Sequence, residues 1–163
     1  DVGVSFVLAL VLVFGFYPVI RKAMRSPNTM RLLLLCMTAS AVALLLFVTR
    51  CPFPADTDVT NLEHGIKNAW KMLGCMLGVW ATYECDLRWT KFDTKAPLPG
   101  QLLKLVLGFG LLLAIKSGMK APLHALFAND FLADGLRYFL MVVFAGCVWP
   151  LTFPRWAKIG KKK

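Results

Sequence analysis

Hydrophobic and polar positions along this chain fall in long blocks. Val2–Ile20 is nineteen residues without a charged side chain, and Leu32–Thr49 is a second uncharged run rich in Leu and Val. A helix needs about 20 apolar residues to cross a bilayer core of roughly 30 Å, so both runs predict transmembrane helices. The turn between them, Arg21 to Arg31, holds four cations and no anion. It is a polar connection, not a further element.

The third block is mixed. Thr60-Asn61-Leu62-Glu63 has the capping-box form, in which Thr60 satisfies a free helix N–H and Glu63 reaches back. A helix from there runs to about Tyr83. Glu63, Lys67 and Lys71 follow at i,i+4 spacing in the favourable order, whereas Met72–Tyr83 is uncharged. This pattern predicts a helix that starts outside the bilayer and enters it. Gly74 and Gly78 form a GxxxG pair, a signal for close helix approach.

Leu98–Ile115 is the fourth predicted span, opened by Pro97 and Pro99. Its Lys104 is expected to snorkel to the interface. Met119–Phe127 is short and amphipathic and predicts an interfacial segment. Phe131–Phe153 is the fifth span, with Trp149 and Trp156 placed for an aromatic belt. The expected fold is therefore all-α, an integral membrane helical bundle with about five transmembrane helices.

Composition agrees. The chain is 58% hydrophobic, against about 45–50% in soluble domains, with a mean hydropathy of +0.62. Its net charge of +10 sits in the connections and not on an aromatic-interleaved basic face, which argues against nucleic-acid binding. Cys36, Cys51, Cys75, Cys85 and Cys147 contain no CxxC pair, which argues against a disulfide framework or zinc site. With residue 1 outside, the inner connections hold twelve Lys and Arg and the outer ones six, so the positive-inside rule predicts N-terminus out and C-terminus cytoplasmic.

Candidate chemistry is sparse. Asp56, Asp58, Glu63 and His64 would suit a cation, yet a solvated loop with a helix cap explains them more simply. Lys67 and Lys71 could attract an anionic headgroup or phosphate, or serve as ordinary interfacial lysines. His124 reads as interfacial packing. Asp86, Arg88, Lys91, Asp93 and Lys95, with Trp89 and Phe92, read as an interface-anchored inner loop. No Ser/His/Asp set, phosphate-binding Gly loop or HExxH is present. Asp1, a carboxylate followed at once by a membrane-length apolar run, leads to the expectation that the chain is cut from the middle of a larger membrane protein.

Three stretches carry a resemblance: Glu84-Cys-Asp-Leu-Arg88-Trp-Thr-Lys91-Phe92-Asp93-Thr94-Lys95, Leu113-Ala-Ile-Lys116-Ser-Gly118-Met-Lys120, and Arg137-Tyr138-Phe139-Leu140. Together they resemble the C-terminal extension of bacterial phosphatases of the type 2 phosphatidic acid phosphatase (PAP2) family, which dephosphorylate lipid phosphates or diphosphates. Asp1-Val-Gly-Val-Ser5 is similar to the last Asp of that family's third signature and the start of its last core helix. The resemblance implies that residues 1–49 are the last core helix plus a first accessory helix, and that residues 50–163 are an accessory region with three more helices.

It further implies a catalytic role for Asp1, as the carboxylate that orients a nucleophilic His. No metal and no cofactor are implied. The implied partners are membrane lipids, a lipid phosphate or polyprenyl diphosphate substrate, and the N-terminal remainder of the protein; the implied place is the bacterial cytoplasmic membrane. The family's Lys, Arg and His signature residues are missing from this chain, so the chain alone is expected to be inactive. The alternative is a non-enzymatic five-helix membrane protein, such as a transporter subunit or assembly partner.

Overall fold

The computed structural model describes residues 2–54, 56–90 and 98–156, and all regular structure among them is helical. Seven α-helices follow in order: α1 Val2–Ala23, α2 Pro27–Arg50, α3 Val59–Cys85, α4 Leu98–Gly118, α5 Lys120–Leu126, α6 Asp130–Val143 and the single turn α7 Phe153–Trp156. The chain divides into two compact units, Asp1–Ala39 and Ser40–Lys163, so the division falls inside α2.

In the first unit, α1 ends in Arg21 and Lys22, cations that suit the negative end of a helix. The chain then turns tightly, with Arg25 N–H donating to the Lys22 carbonyl (3.2 Å) and Ser26 N–H to that of Ala23 (3.2 Å). Pro27 opens α2, a position where its missing N–H has no intrahelical partner to lose.

The second unit is organised around α3 and α6. Lys67 meets Asp134, Gly78 meets Val142, and Thr82 Oγ1 donates to the Val142 carbonyl (3.5 Å). Residue numbers rise together along both helices, so α3 and α6 run parallel. Their seam is built from missing side chains. A Cβ on Gly74 would collide with the Gly135 carbonyl oxygen, and one on Gly78 would stand 2.8 Å from Val142 Cβ. The expected GxxxG contact is thus real, and its partner is α6. Further along, Gly146 lies against the Thr82 side chain.

Both helices change hydrogen-bonding pattern beyond this seam. The α3 helix continues as a π-helical turn over Asp86–Thr90, and α6 as a π-helical turn over Phe144–Val148 followed by a 3₁₀ turn over Trp149–Thr152. The α4 helix runs back against this end of α6. Trp149 packs at Gly108, where a Cβ would stand 2.7 Å from its ring nitrogen, and the Lys104 ammonium sits 4.2 Å from the Phe153 ring centre.

Several expectations need correction. Among the described residues, four helical stretches are long and apolar enough to cross a membrane, not clearly five: Val2–Ala23, Pro27–Arg50, Gly100–Leu126 and Asp130–Thr152. The α3 helix is 27 residues long, but the polar side chains of its first half dilute its apolar run. It begins at Val59 and is capped by Asp58, whose carboxylate accepts from Thr60 N–H (2.9 Å) and Asn61 Nδ2 (2.9 Å). Thr60 is therefore inside the helix and not its cap; Asp caps more strongly than Thr. Lys104 is buried among protein side chains at the end of the bundle, with only 7% of its surface exposed. Trp149 packs against Gly108 of α4. The Trp156 side chain lies outside the described residues.

Thr82 supplies the side-chain hydrogen bond across the seam. Thr82→Val keeps its shape and removes that bond. Such bonds inside membranes average about 0.6 kcal/mol, so a loss of that size is expected in reversible detergent unfolding.

Candidate functional site

The end of the bundle where α3 and α6 begin carries a charged cluster assembled from three elements. Asn129 starts α6 by accepting from Phe131 N–H (2.9 Å) and Leu132 N–H (3.2 Å). From that fixed start, Asp130, Asp134 and Arg137 follow at four- and three-residue steps and share one face of α6. The short α5 helix brings His124 onto this face, and its Leu123 is buried. Lys67 arrives from α3.

Asp134 is the centre. Only 1% of its surface is exposed. Arg137 Nη2 lies 2.6 Å from Asp134 Oδ1, Lys67 Nζ lies 3.4 Å from Oδ2, and His124 Nε2 lies 3.5 Å from Oδ1. The other ring nitrogen, His124 Nδ1, is 2.6 Å from Asp130 Oδ1. A carboxylate this deeply buried is tolerable only when cations surround it. Arg137 is itself 7% exposed and stacks 5.6 Å from the Tyr138 ring centre, which Lys71 approaches at 5.7 Å. These ion contacts are close but off the hydrogen-bond axes: both Asp134 oxygens, His124 Nε2 and Arg137 Nε lack an aligned hydrogen-bond partner.

Chemically, the cluster holds a histidine between two carboxylates and compensates two cations. It ties α5, α6 and α3 together. Among the described residues no group of three His, Cys, Asp or Glu is arranged to hold a metal ion.

Of the residues singled out from sequence, Lys67 and His124 enter this cluster. Lys71 lies beside it, donating to Asn68 Oδ1 (3.4 Å). Asp58 is a helix cap, as the simpler reading had it. Arg88 pairs with Glu84 at 3.2 Å within the α3 end, and Trp89 is exposed. Asp1, Lys91, Phe92, Asp93 and Lys95 lie outside the described residues. Asp134 and Arg137 were the residues that sequence reasoning passed over. The usable signal was an oppositely charged i,i+3 pair inside an apolar span, where ionisable groups are functional suspects.

Fold and composition define an integral membrane helical bundle. Residues 70–162 match the family described as PAP2 superfamily phosphatase, transmembrane extension. That match takes in more than half of the chain, and the chain belongs to this family. It includes His124, Asp134 and Arg137, while Lys67 and the whole of α1 and α2 precede it. No curated protein and no solved structure matches the chain.

Proposed function

We propose that this chain is the C-terminal membrane region of a PAP2-type lipid phosphatase, with α1 as the last core helix and the rest as an accessory bundle. The observation that carries this reading is the family match over residues 70–162. The intact protein would hydrolyse a lipid phosphate or polyprenyl diphosphate through a phospho-histidine, with Asp1 orienting that histidine. Positioning and charge stabilisation of the phosphoryl group need Lys, Arg and His residues that this chain lacks, so the chain alone is inactive.

Within this reading α1, α2, α3, α4 and α6 all cross the membrane. Support for the third crossing comes from α3 lying parallel to α6 from Lys67–Asp134 to Thr82–Gly146. A helix matched to a spanning neighbour over that length occupies the same depth, despite its polar first half. The excess of cations in the inner connections supports N-terminus outside, which puts Asp1 and the Asp134 cluster on the outer side.

Cys51, exposed just after α2, is a natural probe of this topology. In a variant keeping only that cysteine, a membrane-impermeant maleimide should label intact cells lacking an outer membrane. Labelling only after permeabilisation would reverse the orientation. Phosphate release from a polyprenyl diphosphate should come from the intact protein and not from residues 1–163 alone.

A further inference from the structure

A slot runs along one side of the α3–α6 seam, walled by Trp70, Leu73 and Leu77 of α3 and by Leu132, Leu136 and Phe139 of α6, with a volume of about 260 Å³. Its lining is almost wholly apolar. Leu77 and Leu132 are exposed at its rim, so the slot opens sideways from the helix pair. A second recess, of about 530 Å³, is lined by Glu63, His64 and Lys67 of α3 and by Asn129, Asp130 and Phe131 at the start of α6. Glu63, Lys67, Trp70, Gly74 and Leu77 are separated by steps of four, three, four and three, which is one face of a helix. The polar recess therefore stands directly above the apolar slot.

The two spaces together have the shape and polarity of a lipid: a charged mouth continuous with an acyl-chain channel. The mouth also says which lipid. Lys67 is 39% exposed, so it can meet a phosphate while its ammonium holds Asp134. Beside it stand two carboxylates, Glu63 and Asp130; the Asp130 side chain is 73% exposed although one oxygen holds His124. An anionic headgroup would meet Lys67 but would also bring negative charge against those carboxylates. A headgroup with both a phosphate and an ammonium satisfies both signs.

We propose that this groove binds one zwitterionic aminophospholipid, with its phosphate at Lys67, its ammonium at Glu63 and Asp130, and an acyl chain in the Trp70–Leu77 slot. The site lies within the α3–α6 pair. It rests on the five-crossing reading, which puts the mouth at headgroup depth, and does not depend on phosphatase activity.

The test is native mass spectrometry of the full-length protein in detergent, titrated with phosphatidylethanolamine or phosphatidylglycerol. One phosphatidylethanolamine should be retained with about fivefold preference, the size expected from partly exposed charge pairs. Glu63→Gln should remove the preference, lowering phosphatidylethanolamine retention and, by relieving the repulsion, raising that of phosphatidylglycerol. Leu136→Trp, which fills the slot, should lower retention of both lipids. Leu77→Trp, at the exposed rim, should do the same if Leu136→Trp does not fold. Brominated phosphatidylethanolamine should quench a part of the fluorescence that Trp70→Phe removes. Equal retention of the two lipids, or retention indifferent to both slot variants, would overturn the proposal. Failed Cys51 labelling from outside with lipid preference intact would count against the topology alone.

Discussion

Asp134→Ala is expected to destabilise the bundle by about 3–5 kcal/mol, the range for removing one partner of a buried ion pair. The reason is Arg137. Its guanidinium is 7% exposed and lies 2.6 Å from the Asp134 carboxylate, so the alanine variant leaves a buried cation without its carboxylate. Lys67 is far less affected, because it is 39% exposed and can turn to solvent. The double variant Asp134→Ala/Arg137→Met removes both charges and should recover most of the loss. Reversible unfolding in mixed micelles measures all three proteins. Additive losses, with the double variant worse than either single one, would mean that the pair is not the coupled unit described.

The second large effect is at the helix seam. Gly74→Leu should separate α3 from α6 and cost more than the roughly 1–3 kcal/mol typical of an overpacked core. The usual relief, a neighbouring side chain swinging aside, is closed here. The first atom that a side chain on Gly74 meets is the Gly135 backbone carbonyl. The whole contact must open, and with it the Gly78–Val142 and Thr82–Gly146 approaches. Gly110 on α4 is the control, since a Cβ there meets nothing within 4 Å. Gly110→Ala should stay within about 0.5 kcal/mol of the parent, as surface substitutions do. Unfolding midpoints that fall equally for both glycines would contradict the seam.

Local pattern carried some of this architecture and not the rest. The GxxxG pair was readable because small residues four apart share a helix face wherever that helix goes. Gly135 and Val142 were not readable as its partners, because only the tertiary fold chooses the facing helix. The helix start was misjudged by two residues because Asp58 and Thr60 both satisfy capping rules, and the competition is decided at Asp58, whose backbone is extended while its carboxylate accepts from Thr60 N–H. The Asp134–Arg137 pair was visible as spacing. Its burial was not, since that depends on α5 folding back to set Leu123 and His124 against α6. The π-helical turns at Asp86–Thr90 and Phe144–Val148 leave no mark in hydrophobic periodicity. Nor does the pairing of α3 with α6, which runs from Lys67 to Thr82 despite the polar first half of α3.

The family match covers a PAP2 superfamily transmembrane extension; the catalytic reading turns on Asp1. The measurement that tests it most directly is the rate of phosphate release by the intact protein carrying Asp1→Asn, on a polyprenyl diphosphate substrate. An asparagine there keeps the shape of the carboxylate and removes its charge. The rate should fall by about 10⁴-fold, the cost seen when a histidine-orienting carboxylate is neutralised, with detergent stability unchanged. An intact protein that keeps its full rate with Asn at this position, or a 163-residue chain that releases phosphate alone, would contradict the account.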